Sequence, residues 1–195
     1  MSVNRRKNKF LPFLLAVFLL NGCATLSRIT KTDFVDKKRH FSATLPIDWM
    51  RFNQLGHFFI TRDGGTLNAI QVFRHKVSQE LPTTKKRFQE GMLPQDMAEL
   101  ERDEFKADPQ VGTFSVSKTV PLNVSGFDAY RMEYDYILTS GLKYKGIAVG
   151  FLDGEWVYRI FYQAPAQHYF EATKPDFERF IETFKVLESK DKEKS

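Results

Sequence analysis

Few residues in this chain are spaced for chemistry. Cys23, in Leu19-Leu20-Asn21-Gly22-Cys23, is the only thiol among 195 residues. The four histidines, His40, His57, His75 and His168, lie far apart and show no ligand-like spacing. His168 and Glu171 are close enough to share a helix face, but zinc takes three or four ligands. No G-x-S-x-G, P-loop, G-x-G-x-x-G or H-E-x-x-H motif occurs. No serine or threonine has a base recognisably placed for it. The reading therefore leans away from an enzyme and names no catalytic residue, metal or cofactor. Because triads form from residues distant in sequence, an enzyme of unrecognised type stays as a third reading.

Two further groups stand out, and both belong to one pair of strands. Phe127 to Leu138, Thr139-Ser140-Gly141 and Leu142 to Leu152 read as a long hairpin, with Gly141 suited to the left-handed position of a three-residue loop. Pairing Leu138 with Leu142 makes opposed residue numbers sum to 280, so Asp135 faces Lys145 and Glu133 lies diagonal to it. Arg131, Glu133, Asp135, Lys143 and Lys145 then form a charge ladder on one partly exposed face, each opposed pair adding about 0.2–1 kcal/mol. On the other face Tyr130, Met132, Tyr134 and Tyr136 stand beside Tyr144, Gly146, Ala148 and Gly150. That face is either a core covered by a helix, the favoured reading, or an aromatic-lined ligand surface carried by Tyr130, Tyr134 and Tyr144.

The elements around this hairpin follow from pattern. His40 to Leu45 alternates and stops at Pro46, and Trp49 to Asn53 is a short second strand. His57 to Arg62 and Thr66 to His75 flank Asp63-Gly64-Gly65, a hairpin signal. Residues 83–106 have helical spacing interrupted by Gly91 and Pro94, giving two short helices or one kinked helix. Phe114 to Leu122 and Glu155 to Ala164 complete the strands. Phe177, Phe180, Ile181 and Phe184 recur at helical spacing, with Thr173 and Asp176 as a capping pair and Pro175 in the first turn.

The first residues carry Arg5, Arg6, Lys7 and Lys9, then an apolar run from Phe10 to Leu20. This is the order of a secretory signal peptide, and the run falls short of the roughly 20 apolar residues that a membrane-crossing helix needs. Leu20-Asn21-Gly22-Cys23 resembles the lipobox of bacterial lipoproteins, with Asn21 departing from the usual small residue. The resemblance implies cleavage between Gly22 and Cys23. It also implies diacylglycerol on the Cys23 thiol and palmitate-type acylation of its new amine. Each buried methylene of such chains adds about 0.8 kcal/mol of anchoring. Ala24 in place of Asp implies delivery to the outer membrane, with the domain facing the periplasm, or to the extracytoplasmic face where the envelope has one membrane. Removing four cations with the signal leaves 25 basic against 24 acidic residues, net +1 in place of +5, which removes the case for a nucleic-acid partner.

The expected organisation is a signal peptide over 1–22, a lipidated cysteine and tether over 23–36, a domain over 37–187 and a charged tail over 188–195. Three stretches resemble the PsbP-like family, whose fold is shared with a Ran-binding nuclear import factor. They are His40 to Trp49, the hairpin from Phe127 to Leu152, and Phe177 to Lys185 ending in Thr183-Phe184. The resemblance implies an α+β fold, an antiparallel sheet with helices on both faces. It also implies a non-catalytic binding or assembly role. The expected function is a membrane-anchored periplasmic module acting on an envelope protein partner, with a carrier of an apolar or lipid-like ligand as the alternative.

Overall fold

A computed structural model describes residues 26–187. Residues 1–25, with the expected signal peptide, Gly22 and Cys23, and the charged residues 188–195 lie outside the described residues. Among the described residues, eleven strands and two helices are formed in the order β1 (Leu26–Arg28), β2 (Asp33–Asp36), β3 (Phe41–Thr44), β4 (Met50–Phe52), β5 (Phe58–Thr61), β6 (Ala69–Lys76), α1 (Pro94–Lys106), β7 (Val111–Val124), β8 (Phe127–Leu138), β9 (Lys143–Asp153), β10 (Trp156–Pro165), α2 (Tyr169–Glu182) and β11 (Lys185–Val186). An eight-stranded sheet runs β1-β4-β5-β6-β10-β9-β8-β7, antiparallel at every pairing. A small sheet runs β11-β3-β2. The chain leaves mid-sheet at β6, crosses one face through α1, and returns from the far edge as a meander from β7 to β10.

The strand period of two sorts residues into two cores, one on each face. Tyr158, Ile160 and Tyr162 of β10 join Phe177 and Phe180 of α2 and Phe41 of β3. The alternate residues Val157 and Phe161 join Met97 and Ala98 of α1 with the tyrosines of β8. Helices thus lie on both faces of the antiparallel sheet, the α+β arrangement expected. Asp135 stands opposite Lys145, in the register that sums to 280.

Three expectations change. Residues 26–36 are not a free tether: β1 pairs with β4, and β2 pairs with β3. Strands of three and four residues are too short to show a period, so their place is fixed by what they meet, with Phe34 against Phe58 at 5.2 Å. Residues 83–93 form turns, and one unbroken helix begins at Pro94, where the missing N–H costs nothing. The last helix begins at Tyr169, well before Thr173, so Pro175 lies inside it. Its start is a tight turn at His168 (φ 65°, ψ −57°), where the Tyr169 N–H donates to the Gln167 carbonyl at 2.7 Å. Thr173 caps nothing. It is fully buried, donating to the Tyr169 carbonyl at 3.0 Å and meeting the Tyr162 hydroxyl at 2.8 Å.

Candidate functional site

The charge run on β8 faces α2. Arg131 grips Glu178 through both terminal nitrogens at 2.8 Å and reaches Glu133 at 3.1 Å, while Lys145 pairs with Glu171 at 3.8 Å. Cross-strand register is as expected, but the strongest partner belongs to the helix. Arg131 and Lys145 thus help dock α2.

The opposite face is closed by α1. Pro94 opens the helix, Asp96 sits in its first turn and Lys106 in its last, both favourable to the helix dipole. Met97, Ala98, Glu101 and Glu104 form its buried side. Glu101 is an acid on an apolar stripe, and Arg159 of β10 meets it. The guanidinium donates to both carboxylate oxygens at 2.7 Å, and the Tyr130 hydroxyl adds a third bond at 3.3 Å. Phe73, Phe88 and Phe161 ring the cation at 5–6 Å from their centroids. Burial works against the Arg159 charge, but Glu101 outweighs it and the net shift is upward. Glu104 holds the preceding loop, accepting from the Thr83 and Thr84 amides at 2.7 and 2.9 Å and from the Thr84 hydroxyl at 2.7 Å. Burial raises its pKa, but these bonds lower it more.

Tyr130, Tyr134 and Tyr144, the candidate ligand face, are core residues with 1, 1 and 8% of their surface exposed. A Cβ at Gly146 would overlap the Tyr134 ring, and one at Gly150 the Tyr130 ring. The small residues of β9 therefore seat the tyrosine rings, and the helix over them is α1 and not the closing helix. Tyr134 accepts from the Gln163 amide at 3.0 Å, and Tyr144 donates to the Thr66 carbonyl at 2.8 Å. Burial, the largest cause, pushes the Tyr130 and Tyr134 phenols well above their usual pKa, so both stay neutral.

Tyr130 lines an opening. Between α1 and β7 lies a cleft of about 700 Å³, walled by Leu93, Ala98, Val116, Val120, Tyr130 and Met132, with Gln95, Glu99, Arg102 and Thr119 at its polar positions. No histidine, cysteine or serine lines it. Leu93 is 65% exposed at its mouth. The outer wall, β7, is the last strand of the sheet, so its far side has no strand neighbour. Two bulges and Pro121 interrupt that edge, features that discourage indiscriminate pairing. Sequence reading missed Glu101, Arg159 and the cleft. The one signal was Arg159 inside an otherwise apolar and aromatic run from Trp156 to Tyr162. Among the described residues no group of three or more His, Cys, Asp or Glu is arranged to hold a metal, and His168 stands ahead of α2.

No family model and no curated protein matches the sequence. Solved structures do match. LpqN of Mycobacterium tuberculosis, described as involved in cell envelope biogenesis, is 11% identical with a TM-score of 0.57, over 89% of this chain and 97% of that one. Cyanobacterial PsbP (CyanoP) of Synechocystis is 13% identical with a TM-score of 0.56, over 86% and 96%. Mog1 is 5% identical with a TM-score of 0.57, over 83% and 98%. A longer Bacteroides thetaiotaomicron chain is similar over only 50% of its own length. At such identities the likeness is one of fold: this chain has the α+β fold found in PsbP and Mog1.

Proposed function

We propose that the protein is a lipid-anchored extracytoplasmic module that binds an envelope protein partner and performs no chemistry of its own. The observation that carries this reading is the cleft between α1 and β7. It is apolar, large enough for several side chains, and bordered by a strand edge to which an extended peptide can add its own hydrogen bonds. The likeness to LpqN, described as involved in cell envelope biogenesis, supports the same direction. The lipobox-like Leu20-Asn21-Gly22-Cys23 and Ala24 support the outer membrane as the place of anchoring.

A photoreactive amino acid at Thr119, in living cells, tests this. The expected result is one discrete adduct with an envelope polypeptide at Thr119 and none at a control site on α2, Glu182. Absence of any adduct at Thr119 overturns the reading. The alternative, a carrier of an apolar or lipid-like ligand, is favoured by one feature: the cleft volume lies within the roughly 300–1,000 Å³ usual for small-molecule sites. It predicts an adduct of a few hundred daltons, on the order of one ligand, in place of a polypeptide.

A further inference from the structure

One end of the large sheet is left uncovered. Helix α1 packs on β7, β8 and β9. On that same face, at the other end, rings follow one another outward with no helix above them. Phe73 of β6 stacks on His57 at 4.2 Å, His57 lies 6.0 Å from Phe59 of β5, and Phe59 lies 4.9 Å from Phe52 of β4. Leu26 of β1 stands directly opposite Phe52 and is 45% exposed. Of the six exposed large apolar side chains among the described residues, four lie within residues 26–57: Leu26, Val35, Ile47 and Leu55. The same stretch, 26–57, carries six cations against three acids, with Lys31, Lys37 and Lys38 exposed.

The sequence says what this end would meet. Cys23 precedes Leu26 by three residues. A fully extended chain spans at most about 3.6 Å per residue, so an acylated Cys23 lies within about 11 Å of β1. With β1 already part of the sheet, there is no long tether to hold the domain away from its anchor. We propose that β1, β4 and β5 rest on the bilayer. Leu26 and Phe52 sit at the headgroup boundary, and Lys31, Lys37 and Lys38 lie against anionic phospholipid headgroups. The proposal rests on the reading of Cys23 as the lipidated residue. The acyl chains hold the protein to the membrane, and this surface sets its orientation. The sheet then stands on its β1 end. The cleft, beside β7, lies at the opposite end of the strand order from β1.

Lipidated full-length precursor product, purified from membranes and placed in phosphatidylethanolamine–phosphatidylglycerol vesicles, gives the test. Single cysteines at exposed positions, Leu26→Cys, Ile47→Cys, Leu55→Cys, Leu93→Cys and Leu142→Cys, carry a fluorophore quenched by brominated lipid. Covalent mass is measured on each sample. The expected result is quenching at positions 26, 47 and 55 at least about twofold above that at 93 and 142. Equal quenching at all five, in protein whose mass includes the acyl chains, overturns the orientation and leaves the lipoprotein reading intact. Strong quenching at position 26 alone also overturns it, since proximity to the anchor then explains the signal. A mass without acyl chains removes the anchor reading and the proposal with it.

Discussion

Arg159 and Glu101 form the most deeply buried ion pair among the described residues. Their side chains are 10 and 1% exposed, so each charge depends on the other for what water would have supplied. Removing one partner strands the second. Glu101→Ala should lower stability by about 3–5 kcal/mol, read from the urea midpoint. Glu101→Leu combined with Arg159→Met should recover most of that loss, because well-packed apolar replacements of a buried pair are often neutral or better. If the double variant is as unstable as the single one, the pair supplies stability beyond mutual neutralisation. The cation also fixes a position: it holds the middle of α1 against β10 and brings Tyr130 to the inner wall of the cleft.

At the scale of elements, the close fit of β8 on β9 fixes where α1 can lie. Gly146 and Gly150 have the Tyr134 and Tyr130 rings directly above their Cα atoms. Gly146→Ala should cost about 1–3 kcal/mol, the usual range for overpacking a filled core, as a lower thermal midpoint. A smaller side chain at the ring position, Gly146→Ala with Tyr134→Leu, should be less unstable than the two separate losses summed. This hairpin was the most legible part of the sequence. A long strand shows its period, and one glycine-containing turn sets the register for every pair that follows. The charged residues were legible as a face, but their partners were not, because Glu178 is 47 positions from Arg131 and only the docking of α2 joins them. The short strands β1 and β2 were illegible for the opposite reason: three or four residues carry no period, and their positions come from contacts with β3, β4 and β5. The cleft was illegible because it is a space between two elements with no local signature of its own.

The described molecule is two cores sharing one sheet, and two half-buried histidines on the α1 face bear on its response to acid. His57 and His75 both have their pKa lowered from 6.5, with burial as the largest cause. Arg39 adds to the effect at His57, and at His75 the Lys76 carbonyl works against it. The unfolded chain then takes up protons more readily than the folded one. Stability contributed by these residues is fully present above about pH 6.5, is lost as pH falls through that value, and levels off below the lowered folded values. The urea midpoint should therefore drop between pH 7.5 and 5.5, about one unit either side of the ordinary histidine value. The His57→Gln, His75→Gln variant should show a flatter profile over that range. An unchanged midpoint in the native protein would rule the effect out. The pairing of β1 with β4 has a mechanical consequence of its own. Three residue pairs join β1 to β4, followed by the Arg28–Asp48 ion pair and by the Ile29 amide donating to the Trp49 carbonyl at 2.8 Å. Tension applied from the N-terminal side meets that seam first, before any strand of the two cores. Peeling β1 as far as β2 would release residues 26–32, at most about 25 Å of slack at 3.6 Å per residue, and would draw Ile29 out of the core it shares with Phe41 and Phe177. A short first strand with one buried residue behind it thus forms a yielding seam between whatever pulls on the chain and the two cores.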